Sequence, residues 1–269
     1  MDIPLNQFVL QELVMNPEKF IHSVISEWGF NCAKIPEANS KRPDLEVSDA
    51  EGQNYLLELK VKHESSEYSS QRNSAFEYFD IYTEVLDLNA RASHRSVVDD
   101  ARKQLNSMPT LGADTLGLMW LLCLGHQDSA DKERFHNLLL GSTYVVDWAD
   151  ERDEEAKACH FFKESIFFTH RHSLDAAVVS TISSISLLLN PYSEKFSKMR
   201  HSMFARKLQD GLIDTIELDQ IGEVYWVNSA IDRKDHNLVL SYVKNKYCLS
   251  DQTIAMDISQ FTATTYISK

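Results

Sequence analysis

At 269 residues the chain is long enough to bury a sizeable core, as one large domain or two smaller ones. An apolar content of 43% with 25% charged residues excludes a disordered or fibrous chain, and no window has the long uncharged apolar stretch that a membrane span requires. The formal net charge of -13 argues against a protein that simply coats nucleic acid, although local patches decide contact with phosphate.

The first segment, Met1-Asp2-Ile3-Pro4, lacks the basic region and apolar run of a signal peptide. Cys32, Cys123, Cys159 and Cys248 lie far apart and form no Cys-x-x-Cys unit. Free thiols in a reducing cytoplasm are therefore expected, and a zinc module is not. Residues 17–28 are predicted helical, with Asn16 as N-cap, Pro17 at the first helical position and Phe20, Ile21, Val24, Ile25 and Trp28 as the apolar stripe. Strands are predicted over 30–35, 43–47 and 55–62, with a turn at 49–53 that contains Gly52. A second helix is expected over 96–108, and the continuous apolar run 116–124 suits a buried strand.

The informative run lies in the middle of this pattern: Arg42-Pro43-Asp44, thirteen residues, then Glu58-Leu59-Lys60. On a strand with a side-chain period of two, Leu56, Glu58, Lys60 and Lys62 share one face, while Leu57, Leu59 and Val61 share the other. Asp44, on the preceding strand, can meet Glu58 across the hairpin. Two carboxylates offer hard oxygen ligands for Mg²⁺, with Mn²⁺ as a second choice, and the Leu59 carbonyl can add one more. A metal there acidifies a water and clamps phosphate oxygens. A lysine beside it orients the attacking water or stabilises transition-state charge. The alternative reading of the triplet is an exposed strand face carrying a surface ion pair, an interaction of little energetic value.

Over residues 17–125 the arrangement resembles the PD-(D/E)xK nuclease superfamily. That resemblance implies an α/β, restriction-endonuclease-like fold, with a mixed central sheet flanked by helices. It implies a magnesium-dependent nuclease, an endonuclease rather than an exonuclease, of restriction, defence or repair type and acting on DNA. A protein partner or a homo-oligomer is implied as well. Asp44 and Glu58 would bind the metal, and Lys60 would position the water or stabilise the transition state. The family often places an acid on the first helix, for which Glu27 is the match in this reading, with a solvated helix glutamate as its alternative. It often places a glutamine on the second helix, for which Gln104 is the match. An RNA-directed nuclease and a catalytically inactive partner-binding relative remain the competing readings.

Beyond this region the pattern is less specific. Residues 63–95 read as a polar insertion whose aromatic stretch, from Phe76 to Leu86, suggests a packed helix. Residues 176–189 read as a buried helix, and the Phe161, Phe162, Phe167 and Phe168 region as a pair of apolar strands. Residues 191–210 read as one amphipathic basic helix. Its Lys198, Arg200, Arg206 and Lys207 are candidates for gripping a phosphate backbone, against the plainer reading of lysines covering an apolar stripe. From residue 212 onward the chain reads as β-rich, with strands expected at 213–218, 223–228, 238–246 and 253–258. The expected organisation is a nuclease core over 1–125 and a helical and β-rich extension over 126–269, either separate or packed with the core as one unit.

Overall fold

The computed structural model describes residues 16–36, 42–79, 81–89, 92–108, 114–149, 156–257 and 260–266. Helix α1 (Pro17–Glu27) begins where the Asn16 side chain accepts the Lys19 amide, and buries Ile21, Val24 and Ile25. A meander of β1 (Asn31–Lys34), β2 (Leu45–Ser48) and β3 (Asn54–His63) follows, antiparallel throughout. Its second turn is tied by Asp49, whose carboxylate accepts the Glu51 and Gln53 amides and the Tyr55 hydroxyl. Gly52 supplies the positive φ of 82° that this turn needs. Next come α2 (Ser66–Phe76), β4 (Ile81–Asp87), α3 (Ala92–Leu105) and β5 (Leu116–Leu124).

All nine residues of β5 are buried, because β3 and the later strand β8 (Ala176–Ser180) flank it in parallel. The hairpin of β8 and β9 (Ile185–Leu189), followed by β10 (Leu212–Ile213), completes a seven-stranded mixed sheet in the order β1-β2-β3-β5-β8-β9-β10. The fold is thus α/β, with helices on both faces. One face of the sheet packs on α1 and on the short helices α6 (Phe196–Arg200) and α7 (Met203–Lys207). There Phe204 meets Phe30 and Tyr55, with ring centroids 4.4 and 4.9 Å apart. The other face packs on α3 and α4 (Asp128–Leu140). Its apolar cluster runs on without a break into residues of the second half, including Val145, Cys159, Phe161, Val239 and Val243. The chain before and after residue 125 therefore shares one sheet and one core cluster. A four-stranded sheet lies in that second half, in the order β11 (Tyr225–Trp226), β7 (Lys157–His160), β6 (Thr143–Asp147), β12 (Thr253–Met256). The last strand, β13 (Gln260–Tyr266), pairs with β4.

Helices α3 and α4 are joined by a buried polar cluster. Asp131 accepts from His94 at 2.8 Å and from Arg134 at 2.6 Å, and Arg134 also donates to the Asp87 carbonyl at 2.6 Å. His94, Asp131 and Arg134 are all buried.

Several sequence expectations need correction. Residues 176–189 form the β8–β9 hairpin, not a helix. β8 is covered on both faces and so shows no strand period, and Thr181 makes the turn by accepting the Ser183 and Ser184 amides. The Phe76–Leu86 stretch divides into the end of α2 and strand β4, whose pairing partner comes from the far end of the chain. β7 stops at His160, Phe161 turns the chain with φ 61°, and the later phenylalanines sit in a short helix, α5 (Ile166–Thr169). The basic segment is not one helix: α6 ends at Arg200, and Ser202 caps α7 anew through the Ala205 amide. The expected strand 213–218 is mostly helix α8 (Thr215–Gln220), capped by Asp214. The expected strand 238–246 is helix α9 (His236–Tyr247). Asp235 caps it, and its buried Val239 and Val243 repeat at the helical spacing of four. The region after 212 is thus mixed rather than β-rich.

Candidate active site

The candidate site sits where β2 and β3 part. Their pairing ends at Leu45 with Leu57. One residue before β2, Asp44 bridges the gap: its Oδ2 accepts the Leu59 amide at 2.8 Å. In an extended strand the amide and carbonyl of one residue point to the same edge. The Leu59 carbonyl therefore faces the Asp44 side as well.

Glu58 alternates with Leu57 and Leu59 and points to the opposite face, toward α3, with its side chain 0% exposed. Lys60 Nζ ion-pairs with Glu58 Oε1 and donates to Gln104 Oε1 at 2.7 Å. Gln104, near the end of α3, donates in turn to the Arg42 carbonyl at 3.0 Å. Asp44, Glu58, Lys60 and Gln104 are thus brought together, and the loop before Asp44 is tied to the same helix.

Glu58 Oε2 is buried and has no hydrogen-bond partner among the described residues when both carboxyls are ionised. The Asp44 and Glu58 carboxyls are in hydrogen-bond contact, so one proton can be shared between them. Burial pushes Glu58 up to about 8; the Lys60 ammonium opposes that rise and the Asp44 charge adds to it. Burial also raises Asp44, against the Leu59 amide and the Lys60 charge. Two buried carboxyls side by side, whose charged forms burial disfavours, gain from a small divalent cation. Mg²⁺ is commonly held by one or two carboxylates and keeps several waters. Asp44, Glu58 and the Leu59 carbonyl match that donor set. Among the described residues there is no group of three or more His, Cys, Asp and Glu that could hold a metal ion.

The raised Glu58 value has a testable sign. The folded state binds this proton more tightly than the unfolded chain, so metal-free stability falls as pH rises from about 4.3, the ordinary glutamate value, toward 8. Glu58→Gln cannot ionise, so it should gain stability over wild type across that window, on the order of a few kcal/mol at pH 9. Thermal melts in EDTA at pH 5 and pH 9 check this. Melting curves that shift in parallel for the two proteins would contradict it.

Glu27 is exposed at the end of α1. Glu18, in the first turn of α1, is instead close enough for its charge to raise Asp44, and pairs with Lys34 at 2.8 Å. Lys198, Arg200, Arg206 and Lys207 lie on α6 and α7, which pack against the face of the sheet opposite Glu58. Lys198 pairs with Asp114 at 2.9 Å, Arg200 with Asp214 at 2.7 Å, and Arg206 with Glu51.

Comparison with protein-family models, with curated proteins and with solved structures finds no match. No helix among the described residues is long and apolar enough to cross a membrane.

Proposed function

We propose that the chain is a divalent-metal-dependent nuclease of restriction-endonuclease-like fold, hydrolysing phosphodiester bonds in DNA. The observation that carries this reading is the convergence of Asp44, Glu58, Lys60 and Gln104 at the parting of β2 and β3. The element order supports it: a helix, three antiparallel strands, then α3 leading to a strand parallel to β3.

Asp44, Glu58 and the Leu59 carbonyl would hold Mg²⁺ or Mn²⁺. When bound, that ion supplies positive charge to the phosphate and lowers the pKa of a water. Asp44 is kept in place by the Leu59 amide, so its carboxylate needs little reorganisation on binding. Lys60 presents a fixed ammonium to the attacking water or to a phosphate oxygen as charge develops there. Gln104 holds that ammonium by one amide oxygen and fixes the Arg42 loop with its other end. Burial of Glu58 excludes bulk water and strengthens each of these charges.

Three of the four candidate cations on α6 and α7 are already paired with carboxylates and face away from Glu58. Neutralising Lys198, Arg200, Arg206 and Lys207 together should therefore change the log-log salt slope of DNA binding by no more than about 1, one phosphate contact. Fluorescence anisotropy between about 50 and 200 mM salt reads this directly. A loss of three or four contacts would make these residues the main phosphate grip.

The decisive assay is incubation of the full chain with plasmid, linear DNA and RNA, each with Mg²⁺, Mn²⁺ or EDTA, beside a Lys60→Ala control. Metal-dependent cutting of DNA that the control lacks supports the reading. Cutting of RNA alone moves the substrate, and no cutting under any metal leaves a non-catalytic relative.

A further inference from the structure

Two cavities of about 280 Å³ each meet at the N-terminus of α9. They share Thr143, Lys163, His236 and Asp257 as walls. The first is cationic: Arg95, Lys163, Arg233 and Lys234 line it against two carboxylates, Glu164 and Asp257. This local excess of positive charge stands out in a chain whose formal net charge is -13.

The cations differ in how far they are already satisfied. Lys163 is held by Asp257 at 2.6 Å, while Lys234 reaches Glu164 only at 3.8 Å. Arg233 is buried, and its guanidinium donates to the Val227, Ser229 and Ile231 carbonyls. Among the described residues it has no carboxylate partner within ion-pair distance; what it meets is those carbonyls and the Phe168 ring, 5.5 Å from the guanidinium carbon. A buried cation in that state favours a nearby anion. Arg95 is exposed at the mouth, with no hydrogen bond or ion pair among the described residues. The second cavity has an apolar wall of Phe162, Leu240, Ile254 and Ala255. His236 lies against Phe162, with ring centroids 5.8 Å apart.

We propose that this double cavity binds a free nucleotide. The phosphate would lie against Arg95 and Lys234 under the field of Arg233, and the base against the apolar wall. A cationic compartment joined to an apolar one matches a ligand with an anionic end and a flat, weakly polar end. A nucleic-acid duplex keeps its bases stacked inside, so it would leave the apolar compartment empty. The pocket is distinct from the candidate nuclease site. Arg95 and Gln104 share α3 and stand about 13 Å apart along its axis.

Isothermal titration calorimetry of the full chain tests the proposal with AMP, GMP, CMP, UMP and ATP, beside adenosine and inorganic phosphate. At least one nucleotide is expected to saturate the protein, with the corresponding half-ligands at least tenfold weaker. Arg95→Glu combined with Lys234→Glu should weaken that nucleotide tenfold or more. Both side chains are on the surface, so the fold should survive, as melting curves will show. Ile254→Asp, at a residue 42% exposed, should also weaken nucleotide binding by removing apolar wall. Lys60→Ala should bind as wild type does, which keeps this result separate from the nuclease reading. The proposal is overturned if no nucleotide saturates at millimolar concentration, if inorganic phosphate binds as tightly as the nucleotides, or if the charge-reversed variant binds unchanged.

Discussion

Lys60→Ala is expected to lower the rate of metal-dependent cleavage by about 10²–10³-fold, the usual cost of removing one fixed group that stabilises transition-state charge. The Lys60 ammonium is held between Glu58 and Gln104, so its position is set before substrate arrives. Alanine removes the donor to the Gln104 amide oxygen, while the Arg42 carbonyl still holds the other end of that amide. The fold should tolerate the change. The lysine side chain is 24% exposed and leaves no core cavity. Glu58, which already titrates at about 8, can stay protonated when its cation is lost. Circular dichroism should be unchanged and the melting temperature lower by only a few degrees, in the range usual for changes of about 1 kcal/mol. Lys60→Arg should not restore the rate, because a planar guanidinium does not place a point charge as an ammonium does. Single-turnover plasmid cleavage measures both variants, and wild-type rates in Lys60→Ala would remove the lysine from the mechanism.

Asp131→Ala should destabilise the protein by about 3–5 kcal/mol, the range for breaking a buried ion pair from one side. Asp131 is the common acceptor of His94 and Arg134, and its removal leaves the Arg134 guanidinium buried beside an empty volume. Burial alone would raise the Asp131 carboxyl, but the His94 and Arg134 hydrogen bonds outweigh it and hold it below the usual range. The stability it contributes is therefore present above the ordinary aspartate value and lost as pH falls through the depressed one. A double variant, Asp131→Leu with Arg134→Met, should be less destabilised than Asp131→Ala, since it buries no lone charge. Urea unfolding of wild type, Asp131→Ala and the double variant decides this. A double variant destabilised as much as Asp131→Ala would show that the lone buried charge is not the source of the effect.

The half of the fold that carries the candidate site was legible because its signals are local. Pro17 and Asn16 mark the start of α1, Asp49 and Gly52 mark a turn, and the β5 run is apolar from end to end. Glu58 and Lys60 could be grouped by the strand period, whereas Gln104 was implied only by the family resemblance. The second half was misread where long-range partners override local pattern. β4 needs β13, β8 is buried from both sides, and α9 carries an apolar alternation that also fits a strand. The basic segment was read correctly in composition. Its break at Ser202, and the carboxylates that neutralise its charges, come from residues remote in sequence.

The sharing of one sheet across residue 125 bears on how the protein is made. The residues of the candidate site are all synthesised by position 104, and β5 emerges soon after. Yet β5 must wait for β8, more than fifty residues later, before its second edge is covered. A nascent chain that has passed β5 but not β8 presents an open, wholly apolar edge strand, the kind of surface that invites wrong pairing. Closing the sheet is therefore a late event in synthesis, later than the emergence of every residue of the candidate site. Expression of residues 1–125 alone would trap that exposed edge permanently, so such a fragment belongs in inclusion bodies rather than in an activity assay.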